Sequence, residues 1–442
     1  MSFHGPDGTH CTDPLQLTGR RPVVDLAALG LLFAPPALFG EFYPASPWSG
    51  ISLQPATFGG ATSVAPPRVA FPAAVSTLIA DTEVVAVKFS GGIDSLAVLA
   101  QVCRAGSSGR RVVAVTVDLV DDDGVHAADT ARRLVHGLGL DCELVVIDPA
   151  RCRPEISAPW SPVGPRLDAL PQFNALVAEA AHTAGAGVLL SGDGADEVLE
   201  VPPFATTAIA SARGLRAAAR YVADMSGRGG GLLVELAAAA APALPSAARA
   251  RAYWALSWQD TLGQPASPVL ADPFRGIAAE WASAWCTART EGHIAGGGSW
   301  ADQAAWDAVW PHDRLLPAGA VAEDSPFLAE AVLAAAQQLG AADRFDPGLP
   351  TPYQRCKAAV VELFEPAQRP WLPRHKQYFR HALARLTRGR TTTAERAIAA
   401  GLIDPDAWAA NTDLAVTMMV AAVEDWLTGA DAIGAHIPGV SP

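Results

Sequence analysis

Two short stretches place acids and hydroxyls among glycines. "VAVKFSGGIDSLAVLA" runs from Val85 to Ala100, and "LLSGDGADEVLE" from Leu189 to Glu200. In the first, a β-branched run leads into Ser90, Gly91 and Gly92, followed by Asp94 and Ser95. In the second, an apolar run leads into Ser191, Gly192, Asp193 and Gly194, followed by Asp196. Glycines at a strand-to-helix turn permit positive φ and let backbone N–H groups come close to a ligand. The helix that follows adds unpaired N–H donors and a partial positive charge, which suits phosphate. An aspartate there is ill-placed for direct contact with phosphate, but it makes sense as a ligand of a Mg²⁺ ion that bridges phosphates. Two such turns on one sheet can face each other over one ligand, so Asp94 and Asp196 are the candidate metal ligands. Asp193 reads two ways, as a group that orients an incoming amine and as a helix cap.

The elements around these turns have to position them. Val84–Phe89, Val112–Asp118, Glu143–Ile147 and Gly187–Leu190 have the apolar, β-branched character of buried strands. Helical periodicity lies between them, near 94–104, 126–138 and 171–184. Alternation at this spacing predicts an α/β fold, a parallel sheet with helices on both faces. Such sheets bind ligands at the carboxyl ends of their strands. From about residue 204 the strand signals stop and Ala, Leu and Arg dominate with helical spacing. The expected organisation is an irregular Pro/Gly-rich lead-in over 1–80 with one short helix, an α/β core over 81–200, and a mostly helical part over 201–442. "SGRGGG" near 226–231 reads as a flexible connection.

Composition narrows the function classes. The net charge is −13 and no basic stripe is visible, which argues against a nucleic-acid partner. The six cysteines, at 11, 103, 142, 152, 286 and 356, form no C-x-x-C pair, so neither a zinc site nor a disulfide framework is indicated. They read as buried small apolar residues in a reducing compartment. The N-terminus has no signal-peptide pattern, Pro35 and Pro36 break the apolar run Val23–Phe39, and "LLVELAAAAAPAL" is too short to span a membrane. The expected location is the cytoplasm. Lysine occurs only as Lys88, Lys357 and Lys376 in a chain with 32 Lys and Arg residues. Under such a bias a retained lysine marks a place where arginine's planar fork does not serve. The plainer reading of each is a solvated or snorkelling side chain.

"SGGIDS" resembles the pyrophosphate-binding loop of the N-type ATP pyrophosphatases, and "SGDGADE" resembles the S-G-E-G-A-D-E motif of their asparagine synthetase branch. Two later stretches agree. "AEDSPFLAEAVLAAA" (322–336) looks like the branch's V-P-F-L-D segment, and "YQRCKAAVVELFEPAQRPWLPRHKQYF" (353–379) like its K-x-x-L-R helix followed by R-x-K-x-x-F. The resemblance covers about 80–385 and implies an ATP-pyrophosphatase (HUP-like) core that uses ATP and Mg²⁺. It implies that Ser90, Gly91, Gly92, Asp94 and Ser95, with Gly192 and Gly194 opposite, cradle the pyrophosphate. Lys376 matches the family lysine that touches the ATP phosphates, and Lys357 the earlier lysine that also reaches phosphate.

The chain also departs from the pattern. Position 2 is Ser where the family's glutaminase has Cys, and 1–80 looks like a remnant linker without that domain. "LEVPPF" replaces the usual G-G-Y, and Ala322 stands where a glutamate is expected, with Glu323 and Asp324 beside it. These departures resemble the amide-forming synthetases of natural-product pathways, β-lactam synthetases and most of all lasso-peptide macrolactam cyclases. The implied substrate is a small molecule or peptide bearing a carboxylate and an amine, with a precursor-peptide-processing protein as partner. The rival reading is an asparagine synthetase fed by free ammonia or by a partner glutaminase.

Overall fold

The structure is a computed structural model. It describes the chain apart from residues 1, 20, 41, 55–64, 107–108, 152–156, 169, 227–231, 259–265, 296–316, 389–392 and 441–442. Most of the expected connection at 226–231 lies outside the described residues, as does Cys152. Of the other cysteines, Cys286 and Cys356 are buried as expected, whereas Cys11, Cys103 and Cys142 are only partly so; none of the five is in a disulfide. No helix among the described residues is long and apolar enough to cross a membrane.

Three short strands, β1 (Ser2–His4), β2 (His10–Cys11) and β3 (Ser52–Gln54), form an antiparallel sheet in the order β2-β1-β3. Five more form the central parallel sheet: β4 (Val84–Lys88), β5 (Arg111–Val117), β6 (Glu143–Ile147), β7 (Val188–Leu190) and β8 (Ala322–Asp324). Their order is β6-β5-β4-β7-β8. The chain winds outward from β4 through β5 to β6, then returns to the other side of β4 for β7. The winding direction therefore reverses between β4 and β7, and a crevice opens at their carboxyl ends, where such sheets bind ligands.

Strand side chains alternate between two cores. Val85, Val87, Val112, Ala114, Val188 and Leu190 pack with the helices Pro67–Leu78, Ile93–Ala105, Ala127–Gly137 and Glu330–Gln337. Ala86, Val113, Val115 and Leu189 pack with the helix Pro171–Thr183. The sheet is thus covered on both faces, as its near-continuous apolar strands require.

Two sequence expectations need correction. Strand signals do not end near 204, because β8 pairs with β7, Leu189 opposite Glu323. Nor is 1–80 an irregular lead-in with one short helix. It holds β1–β3 and the helices Leu26–Leu31, Pro35–Leu38 and Pro67–Leu78. Phe3, Leu29, Phe33 and Trp48 enter a separate core with the C-terminal residues Val420, Val423, Trp426 and Leu427. Long-range contacts hold this region, such as Trp48 Nε1 donating to the Pro162 carbonyl at 2.6 Å.

Candidate active site

The first turn joins β4 to the helix Ile93–Ala105. Gly91 takes φ +81°, a left-handed conformation open to glycine, and Gly92 is the helix N-cap. The serine hydroxyls brace the turn: Ser90 Oγ and Ser95 Oγ lie 3.1 Å apart, and the Ser90 N–H donates to Ser95 Oγ at 3.3 Å. The Ile93 N–H, at the start of the helix, donates to Tyr353 Oη at 3.2 Å. No local sequence signal marks Tyr353, which arrives from a segment 260 residues away. Burial, with the negative charge of Asp94, holds its phenol above the ordinary range, so it stays neutral.

The second turn joins β7 to the short helix Ala195–Leu199. Gly194 is its N-cap with φ +85°, and no side chain caps it. Asp193 is therefore not the cap. Asp193 lines the cleft, its carbonyl accepts from Ser325 Oγ at 2.6 Å, and Ser191 N–H pairs with the Asp324 carbonyl at 3.0 Å. The two turns touch. A methyl group on Gly192 would lie 2.8 Å from the Ser95 nitrogen and 3.1 Å from the Asp94 carbonyl carbon. Glycine here lets the loops close on each other across β4 and β7.

Asp94 and Asp196 come together as the two motifs suggested, and an ammonium sits between them. Lys357 Nζ donates to both Asp94 carboxylate oxygens at 2.9 Å each, pairs with Asp196, and lies 3.3 Å from Glu200. The Lys357 side chain is fully buried and does not line the cleft. This differs from the expected reach to phosphate: Lys357 lies beneath the site as the counter-ion of its carboxylates. Asp196 stands in the helix Ala195–Leu199 and Glu200 is its extended C-cap, so both ends of this short helix reach the same ammonium. Burial alone would lower the pKa of Lys357, but the charges of Asp94 and Asp196 outweigh it and hold the ammonium above the usual lysine range. For Asp94, burial dominates and raises the carboxyl, against the pull of Lys357. For Asp196, burial is outweighed by Lys357 and Lys376, and the carboxyl stays well below the usual range.

Lys376 approaches from the cleft side, its Nζ 3.2 Å from Asp196 Oδ2. With Asp196, Asp193, Tyr353, Lys88 and both turns, it lines a cleft of about 430 Å³. Val115, Val117, Leu119, Phe173 and Val177 add apolar side chains to the lining. Two buried polar atoms on the wall, Thr116 Oγ1 and Gln377 Oε1, have no protein partner. Lys88 pairs with Glu323 on β8 and donates to Asn174 Oδ1 at 3.4 Å, so the charge at the end of β4 is matched within the fold.

No preformed cluster of three metal-ligating side chains is present among the described residues. The donor set still fits one Mg²⁺ shared with phosphates. Mg²⁺ is commonly held by one or two carboxylates plus phosphate oxygens and water, and each carboxylate oxygen has a second lone pair beyond the one facing an ammonium. The Asp196 side chain is 42% exposed and open to such a partner.

The sequence matches the asparagine synthase family model over residues 68–410, most of the chain. The chain belongs to the asparagine synthase family. Both turns, Lys357 and Lys376 fall inside the matched segment, as do all five strands of the parallel sheet, and membership makes the chain an ATP-dependent amide-forming synthetase in general terms. No curated protein matches the chain.

Proposed function

We propose that this family member adenylates a substrate carboxylate, releases pyrophosphate, and passes the acyl group to an amine. In its most specific form the substrate is a peptide that closes on itself as a macrolactam, in the manner of lasso-peptide cyclases. The carrying observation is the contact of two glycine turns at the β4/β7 reversal, with Asp94, Asp196 and Lys376 on one wall.

The site's parts match the steps. The apolar part of the lining takes the nucleotide base, and the orphan Thr116 hydroxyl gives it a polar partner. The first glycine turn faces the phosphates. Asp196 and Asp94 would hold a Mg²⁺ ion, which when bound would supply neutralisation of phosphate charge. A carboxylate is a poor acylating agent because oxide is its leaving group, so its oxygen attacks the α-phosphorus and pyrophosphate departs. Lys376 neutralises the charge that develops on that leaving group, usually the main electrostatic contribution in such transfers. The amine then attacks the acyl carbon and AMP leaves.

An α-amine suits this site. With a pKa near 7.7–8.0, roughly a tenth of it is neutral at pH 7, whereas a lysine-like amine near 10.4 is almost wholly protonated. No histidine lines the cleft among the described residues, and His375 beside Lys376 is exposed. Asp193 is the group placed to orient the ammonium before it loses its proton. Where acid and amine belong to one substrate, holding them together supplies about 7–11 kcal/mol of barrier reduction. The test is to incubate the protein with ATP, Mg²⁺ and candidate precursor peptides. Loss of one water from the peptide with AMP in step supports the cyclase; AMP formed with aspartate and ammonium favours an asparagine synthetase instead.

A further inference from the structure

Lys376 lies on residues 373–379, a segment that is neither helix nor strand. A lysine that must meet a departing pyrophosphate needs a fixed position, and its own segment has no regular structure to give one. The restraint comes from the loop after β5. The Asp122 N–H donates to the Tyr378 carbonyl at 2.7 Å. Its carboxylate accepts from Arg380 Nε at 2.9 Å and from the His381 N–H at 3.0 Å. Asp121 Oδ2 accepts from Gln377 Nε2 at 3.0 Å, and the Gln377 side chain lies over Gly91 of the first turn. Four hydrogen bonds therefore strap residues 377–381 immediately after Lys376.

The loop is itself rigid. Asp118 Oδ1 accepts from the Ala128 N–H at 3.0 Å, and Asp121 Oδ1 from the N–H groups of Asp123 and Val125 at 3.0 and 2.7 Å. Asp121 and Asp122 are nearly enclosed, with Asp122 14% exposed, although their partner Arg380 is largely in solvent. Two adjacent acids turned inward onto one segment, rather than outward to water, call for a structural reason.

We infer that Asp121 and Asp122 are positioning residues for Lys376: they tie the phosphate-facing lysine to the end of β5 and so fix it relative to the nucleotide cleft. The inference rests on the role of Lys376 in the proposed reaction, and it extends that site to a loop the sequence motifs do not include. A misplacement near 1 Å can lower the rate on the order of a hundredfold. Because Lys376 acts as pyrophosphate departs, the loss falls on kcat, with the KM for ATP little changed.

The experiment is a double-mutant cycle between Asp122→Ala and Lys376→Ala, read as pyrophosphate release, with thermal unfolding as the fold control. Asp122→Ala lowers kcat in the parent chain and has no further effect once Lys376 is alanine. Equal factors in both backgrounds, with Lys376→Ala impaired, overturn the positioning role while leaving the proposed reaction intact. Full activity of Lys376→Ala overturns both. If Asp122→Ala does not fold, Gln377→Ala removes the companion bond from the other side and enters the same cycle. Asp121→Asn is the conservative control. Its Oδ1 keeps both backbone bonds and the Gln377 amide can turn over to accept, so activity is retained where Asp121→Ala loses it. Equal loss in both Asp121 variants also contradicts the inference.

Discussion

Replacing Lys357 with methionine keeps the length and much of the shape of the side chain and removes only the ammonium. Asp94, Asp196 and Glu200 are then left facing one another, with the first and last 17% and 12% exposed. Removing one partner from a buried ion pair costs about 3–5 kcal/mol, because an uncompensated charge stays behind. Asp196 is too exposed to add much to that figure, since solvent screens it. The pH dependence follows from the signs. In the parent chain Lys357 has a raised pKa, so its contribution is fully present below the ordinary lysine value near 10.4 and is lost as pH rises through the folded value. Asp196 has a lowered pKa, so its contribution is present above about 3.9 and is lost as pH falls. In Lys357→Met the Asp94 carboxyl, already raised by burial, rises further. A carboxyl raised in the folded state destabilises above its unfolded pKa, and that penalty is relieved as pH falls. The variant is thus most destabilised near neutral pH and approaches the parent at mildly acidic pH. Urea unfolding of both proteins at about pH 8 and about pH 5 measures the difference. Equal stability at pH 8, or a deficit that does not shrink on acidification, refutes the placement of Lys357 as the buried counter-ion.

Further outcomes follow from the same geometry. Gly192→Ala drives a methyl group against the Ser95 nitrogen and forces the two turns apart. Calorimetric ATP affinity falls, and unchanged affinity means the turns do not share the nucleotide. Asp196→Asn retains the fold, because the side chain is half-open to solvent, and loses Mg²⁺-dependent pyrophosphate release; Asp94→Asn loses that activity and also melts earlier, since it weakens both bonds to Lys357. Comparing melting curves with ATP–pyrophosphate exchange separates the two, and normal exchange in both removes the metal assignment. Lys376→Arg recovers only part of the kcat lost in Lys376→Ala, because a planar fork does not replace a compact ammonium; full recovery removes the reason for a lysine there.

The two turns were legible because their chemistry is local. Glycines at positive φ, a flanking strand and a helix start are all encoded within a dozen residues, and the strand order supplied what was missing by placing β4 beside β7. β8 was not legible: it is three residues long, two of them acids, and it forms because β7 offers an open edge to pair with. The N-terminal strands are equally short, and distant partners such as Pro162 and His436 hold their region in place. Lys357 was found as a residue and misplaced as a contact. A lysine's sequence neighbours do not reveal whether three carboxylates from distant segments, Asp94, Asp196 and Glu200, enclose it. Tyr353 and the Asp121–Asp122 strap depend wholly on tertiary packing.

In the proposed reaction the carboxylate is activated at the α-phosphorus of ATP. The measurement that tests it most directly uses a substrate with its reacting carboxylate labelled with ¹⁸O, with the nucleotide products resolved by mass spectrometry. Activation at the α-phosphorus gives AMP and pyrophosphate in equal amounts, with one labelled oxygen carried into AMP. ADP and inorganic phosphate, or AMP without label, would contradict it.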